Sequence, residues 1–90
     1  MFSGIVQEYS KSVSKETKSY GISLSVGVSK KFTKGLKKGD SIAVNGVCLT
    51  VKRFNPEKVF FDVIHESLKL TNLDYLNLKV PVNLERSLKL

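Results

Sequence analysis

Ninety residues, 41% hydrophobic and 26% charged, make one ordinary globular domain over 1–90 and exclude a wholly disordered chain. One cysteine and one histidine allow neither an intramolecular disulfide nor a Cys/His zinc site, and no apolar run approaches the ~20 residues of a membrane helix. The net charge of +7 raises nucleic-acid binding, but the densest basic stretch, 30–38, holds a single aromatic, Phe32, and lacks the stacking platform of a single-strand binder.

The opening Met-Phe-Ser-Gly-Ile-Val-Gln-Glu has no basic segment followed by a long apolar one, so the expectation is no signal peptide and a reducing, cytoplasmic setting. Residues 2–9 read as a first strand centred on Ile5 and Val6. The polar residues 10–19 read as the second arm of a hairpin with a loop. Residues 20–28 alternate, with Ile22, Leu24 and Val26 on one face and Ser23, Ser25 and Gly27 on the other, which predicts a half-buried strand. Residues 29–36 suit one helical turn with Gly35 near its end, and the lysines of 30–38 read as a solvated loop or short helix.

Lys38-Gly39-Asp40 is a turn before a strand at Ser41–Val44. Asn45-Gly46 is a hairpin dipeptide, because both residues tolerate positive φ. Val47–Phe54 reads as one strand, Asn55–Lys58 as a turn with Pro56 pre-setting φ, and Val59–His65 as the next strand. Residues 66–72 suit a short helix and 76–80 are ambiguous. Pro81 argues against a central strand there, and Val82–Glu85 reads as a closing strand. Many short strands between turns predict an all-β barrel, which closes on itself and removes exposed edges.

Cys48 and Thr50 lie two apart on a strand and share a face, with Leu49 and Val51 on the other. If Leu49 and Val51 fill the core, a thiol and a hydroxyl point outward together. The other reading of Cys48 is a packing cysteine. On the following strand Asp62 and Ile64 share the face opposite Phe61 and Val63, and a hairpin around Asn55–Lys58 aligns them with Cys48 and Thr50. Asp62 reads equally as a solvated carboxylate. His65-Glu66-Ser67 is no catalytic triad, since adjacent residues do not supply facing geometry; Ser67 reads as a helix start and His65 as exposed.

Met1–Gln7, Gly39–Val51, Phe61–Leu68 with Thr71–Leu73, and Val82–Glu85 together resemble, in order and spacing, the N-terminal lumazine-binding domain of riboflavin synthases, a family shared with the lumazine and yellow fluorescent antenna proteins. The resemblance spans essentially the whole chain. It implies a six-stranded antiparallel Greek-key barrel with one or two short helices. In that family two such barrels lie in tandem before a trimerising C-terminal helix. The active site lies between the N-terminal barrel of one subunit and the C-terminal barrel of another. There, two molecules of 6,7-dimethyl-8-ribityllumazine yield riboflavin and a ribitylaminopyrimidinedione, with no metal or organic cofactor.

Carried onto this chain, the resemblance places Cys48 and Ser41 at the reacting centre. It places Thr50, Asp62, Ile64, Glu66 and Ser67 against ring and ribityl chain, with Gly4, Ile5 and Val6 offering backbone groups. Phe2 reaches a neighbouring barrel. Position 67 is serine where threonine is common, which keeps the hydroxyl, and Asp74–Val80 lacks the usual glycine turn. Ninety residues hold no second barrel. The expectations are therefore ligand binding with weak or absent catalysis in the isolated chain, a homodimer for a lone barrel, and a homotrimer for a two-barrel chain. Antenna proteins usually carry serine where this chain has Cys48, so the thiol favours the enzyme lineage over a non-catalytic flavin carrier.

Overall fold

The computed structural model of the chain describes residues 2, 4–10, 12–66 and 81–87. Among these are eight strands and a short helix: β1 Glu8–Ser10, β2 Val13–Lys18, β3 Gly21–Gly27, α1 Lys30–Thr33, β4 Ser41–Val44, β5 Val47–Thr50, β6 Arg53–Asn55, β7 Lys58–Ile64 and β8 Val82–Arg86. They form two antiparallel four-stranded sheets, ordered β1-β8-β4-β5 and β2-β3-β7-β6. Among the described residues no helix is long and apolar enough to cross a membrane.

Each sheet is open as a ladder. Its two edge strands, however, are followed directly in the chain by the edge strands of the other sheet: β1 by β2 and β5 by β6. With these two pairs each taken as one bent run, the eight strands become six. Their pairings then pass from run to run around a ring, through β2–β3, β3–β7, β7–β6, β5–β4, β4–β8 and β8–β1. The expected six-stranded Greek-key arrangement is present in this sense, with the chain rather than a continuous ladder carrying it across two corners.

Local chemistry sets both corners. At the first, the Ser12 amide donates to Ser10 Oγ at 3.2 Å, a local side-chain bond that competes with the ladder. The expected hairpin between 2–9 and 10–19 is therefore not formed. β1 pairs with β8, β2 pairs with β3, and only Glu8–Ser10 of the first stretch is strand. At the second corner, the Lys52 amide donates to the Phe60 carbonyl at 2.9 Å while Arg53 is the register partner of Phe60. Two successive residues thus oppose one, which is a β-bulge. It splits the expected strand Val47–Phe54 and turns both Lys52 and Arg53 outward, the Arg53 guanidinium 3.9 Å from the Phe60 ring centroid.

Alternation fills the interior. Leu24, Val26, Ile42, Val44, Phe61 and Leu84 are among the side chains sealed between the sheets. The Asn45-Gly46 turn has φ of 49° and 81°, and joins β4 to β5 with Val44 opposite Val47. Asn45 Oδ1 also accepts the Asn83 amide at 2.8 Å, which ties the turn to β8. Asn55 Oδ1 organises the next turn by accepting the amides of Glu57 and Lys58, both at 2.9 Å.

The helical turn α1 buries Phe32 and is fixed at both ends. Ser29 caps it by accepting the Phe32 amide at 3.1 Å, and the Ser29 amide and hydroxyl both donate to the Glu8 carboxylate. At the other end Arg86 Nη1 donates to the carbonyls of Phe32 and Lys34, at 3.2 and 2.6 Å. Gly35 follows with φ 73°, where the sequence places the end of the helix. The lysines of 30–38 are exposed.

Candidate functional site

Cys48 and Thr50 point outward from β5, and Leu49 between them is buried. The β4–β5 register extends this face: Ala43 stands opposite Cys48, and Ser41 opposite Thr50. The β4–β8 register extends it again, with Glu85 opposite Ala43. On the other side β5 packs against β7, whose outward residues are Asp62 and Ile64. The bulge shifts the register so that, carried past it, Thr50 lies level with Asp62 and Cys48 level with Ile64. One outer surface thereby gathers the thiol, two hydroxyls, a carboxylate and an apolar side chain that is 51% exposed.

The N-terminal segment lies across the far end of this surface. Gly4, with φ 82°, donates its amide to both oxygens of the Glu85 carboxylate, at 3.0 and 3.2 Å. Gly4 and Val6 border a cleft of about 220 Å³ together with Ala43, Gly46 and Glu85. Ile5, between them, is 69% exposed. Gln7 returns the chain to the sheet, its amide donating to the Leu84 carbonyl at 2.9 Å and its side chain accepting the Arg86 amide at 2.7 Å. Phe2 is half-buried.

Asp62 is held from both sides. The Tyr20 hydroxyl donates to Oδ1 at 2.5 Å, and Lys52 Nζ stands 2.9 Å from Oδ2. The Tyr20 hydrogen bond first, and the Lys52 contact second, stabilise the carboxylate and lower its pKa. The same bond, with the negative charge beside it, raises the pKa of the Tyr20 phenol. The bulge is what brings Lys52 to Asp62.

The sequence-predicted residues fall into place unevenly. Cys48, Thr50, Ser41, Asp62 and Ile64 share the surface, and Gly4 and Val6 edge its cleft. Ser41 also borders a separate small cleft with Asp40, Arg86 and Ser87. Glu66 is exposed just beyond β7; Ser67, and all of the helix expected over 66–72 except residue 66, lie outside the described residues. His65 is exposed, with Nε2 3.1 Å from the Ser19 carbonyl. Sequence reasoning missed Glu85, Tyr20 and Lys52 as members of the surface. The alternation of β8 placed Glu85 outward, but nothing local to it marks Gly4 as its partner.

Such a surface offers hydroxyls, a charged acceptor and backbone groups beside exposed apolar side chains. That set suits a flat heteroaromatic ring carrying a polyol. The lumazine binding domain model matches residues 3–87. Riboflavin synthase of Chlamydia pneumoniae is 44% identical over 90 residues, which are 100% of this chain and 45% of that protein. Riboflavin synthase of Escherichia coli (strain K12) is 42% identical over 89 residues, 99% of this chain and 42% of that protein.

Two solved structures are similar at 29% identity. LumP complexed with riboflavin gives a TM-score of 0.84 and covers 96% of this chain and 46% of its own. LumP complexed with 6,7-dimethyl-8-(1'-D-ribityl) lumazine gives 0.85, with 97% and 49%. The chain therefore spans less than half the length of these relatives. A match over 3–87 together with this fold makes the chain a member of the lumazine-binding domain family.

Proposed function

We propose that this domain binds 6,7-dimethyl-8-ribityllumazine and riboflavin on the surface between the Gly4–Val6 segment and the β5–β7 face. In this reading it supplies half of a riboflavin synthase active site. The observation that carries it is the convergence of Cys48, Thr50, Ser41, Asp62 and Ile64 on one outer face in a chain 44% and 42% identical to two riboflavin synthases over 100% and 99% of its length. Asp62 accepts from the ribityl hydroxyls, Thr50 accepts from or donates to them, Ile64 packs on the ring, and Gly4, Ile5 and Val6 offer backbone groups to its polar edge. Glu66 and Ser67 add polar partners beyond β7.

The reaction joins two lumazines: one gives a four-carbon unit to the other, leaving riboflavin and a ribitylaminopyrimidinedione. Cys48 is placed to assist by nucleophilic addition or proton transfer, with Ser41 nearby on the paired strand. No metal or organic cofactor is required in this scheme. The other half of the site comes from a second barrel, with Phe2 reaching toward it. In a two-barrel chain the assembly is a homotrimer; a lone barrel pairs with itself. By this reading the protein acts in the cytoplasm, and the isolated domain binds ligand with little or no turnover.

Titrating the domain into riboflavin tests the reading: binding quenches or shifts flavin fluorescence at micromolar protein, and an unchanged spectrum refutes it. A non-catalytic carrier is the second reading, favoured by the fold match to LumP. Replacing Cys48 with Ser in a chain containing both barrels separates the two. Loss of turnover with binding retained supports the synthase; unchanged turnover removes Cys48 from the mechanism.

A further inference from the structure

Glu85 and Ala43 are register partners on the outer faces of β8 and β4, yet they are only 7% and 8% exposed. In the same row Cys48, opposite Ala43, is exposed. The difference coincides with the Gly4–Val6 segment, which borders the cleft over Ala43 and Glu85. A carboxylate removed from water needs hydrogen-bond donors, and the Gly4 amide reaches both of its oxygens. Gly4 meets it with φ 82°, a conformation that suits glycine.

Gly4 and Glu85 are 81 residues apart, so this bond closes the two ends of the fold onto each other. Charge-assisted bonds of this kind are about twice as strong as neutral ones, and this one lies at the cleft wall. We infer that Glu85 is a positioning residue that, through the Gly4 amide, holds the Gly4–Val6 segment as one wall of the ligand cleft. It touches no reacting atom; it orders the backbone groups that the ligand meets. This inference rests on the ligand reading above.

Two measurements on the full chain test it, with Glu85→Gln as the near-isosteric variant and Glu85→Ala as the severe one. The first is amide hydrogen exchange at Gly4 by nuclear magnetic resonance, without ligand. Protection in the native protein that falls by about tenfold or more in Glu85→Ala is expected, the loss of one charge-assisted bond. An unprotected Gly4 amide in the native protein overturns the clasp.

The second is riboflavin affinity by fluorescence. Glu85→Ala weakens it by about tenfold, and Glu85→Gln, which keeps one acceptor oxygen, weakens it less. Native-like affinity in both variants overturns the positioning role. Should Glu85→Ala fail to fold, Glu85→Gln decides the matter on both readouts. If the native protein binds no riboflavin, the ligand reading and the role of the wall both fall, and Gly4 exchange then judges the clasp alone.

Discussion

Tyr20, in the turn between β2 and β3, donates its hydroxyl to Asp62 on β7 across 42 residues of chain, at 2.5 Å. Lys52, turned outward by the bulge, takes the other carboxylate oxygen at 2.9 Å. Three separate stretches thus converge on one acidic group of the candidate ligand surface.

The first prediction is a pH dependence. The folded pKa of Asp62 is depressed, chiefly by the Tyr20 bond and then by Lys52. The charged groups around it are Lys52 at the bulge and Lys18 on β2, with Glu16 on β2 near Tyr20. A depressed carboxylate pKa contributes stability that is present above the unfolded value and is lost as pH falls through the folded one. Tyr20→Phe raises the Asp62 midpoint, so this loss begins at a higher pH. Carboxyl titration by nuclear magnetic resonance reads it directly, and an unmoved midpoint refutes the assignment of cause.

Cys48 is exposed on the outer face, so it reacts with a thiol reagent in the native protein without prior unfolding. Saturating riboflavin slows the labelling. Equal rates with and without ligand take Cys48 off the ligand surface. Cys48→Ser changes the unfolding free energy by less than about 0.5 kcal/mol in a urea melt, because it removes no core contact.

Two glycines separate steric overlap from conformational strain. A Cβ on Gly21 falls 2.0 Å from the Val63 carbonyl oxygen, at φ 148°. Gly21→Ala forces β3 from β7 and costs about 3 kcal/mol or more. A Cβ on Gly46 meets nothing within 4 Å, so Gly46→Ala carries only the strain of φ 81°, about 1 kcal/mol. Denaturation midpoints of the two variants check the order, and a larger loss at Gly46 contradicts it.

Arg86 ties β8 to the end of α1 through the carbonyls of Phe32 and Lys34. Arg86→Ala frees both, lowering stability by about 1–3 kcal/mol. It also speeds hydrogen exchange at the Leu36 amide, which donates to the Thr33 carbonyl at 3.0 Å. Unchanged exchange there shows that the Ser29 cap and the burial of Phe32 hold α1 without Arg86.

Local signals carried much of this fold into the sequence. Alternation in 20–28 marked β3, Asn45-Gly46 marked its hairpin, and the two-residue spacing of Cys48 and Thr50 placed both outward. Where the chain leaves one sheet for the other, alternation fails as a guide. Lys52 and Arg53 are both exposed because a bulge inserts a residue, and a bulge has no composition of its own here. The polar run at 10–19 hid which partner β2 would take, since pairing across the fold depends on distant residues. Glu85 was unreadable for the same reason: its partner is an amide at the other end of the chain.

Three of the four strands at the sheet edges are short: β1 and β6 have three residues each and β5 has four. The fourth, β2, has six, and its exposed Glu16 and Lys18 put charge along that edge. Short edges and a charged one make poor templates for another chain to add a strand. A protein partner would then engage this domain through exposed side chains such as Ile5, Tyr9 and Ile64 rather than by extending a sheet. Partner choice then lies in surface residues, which can change without disturbing the backbone pairing that builds the domain.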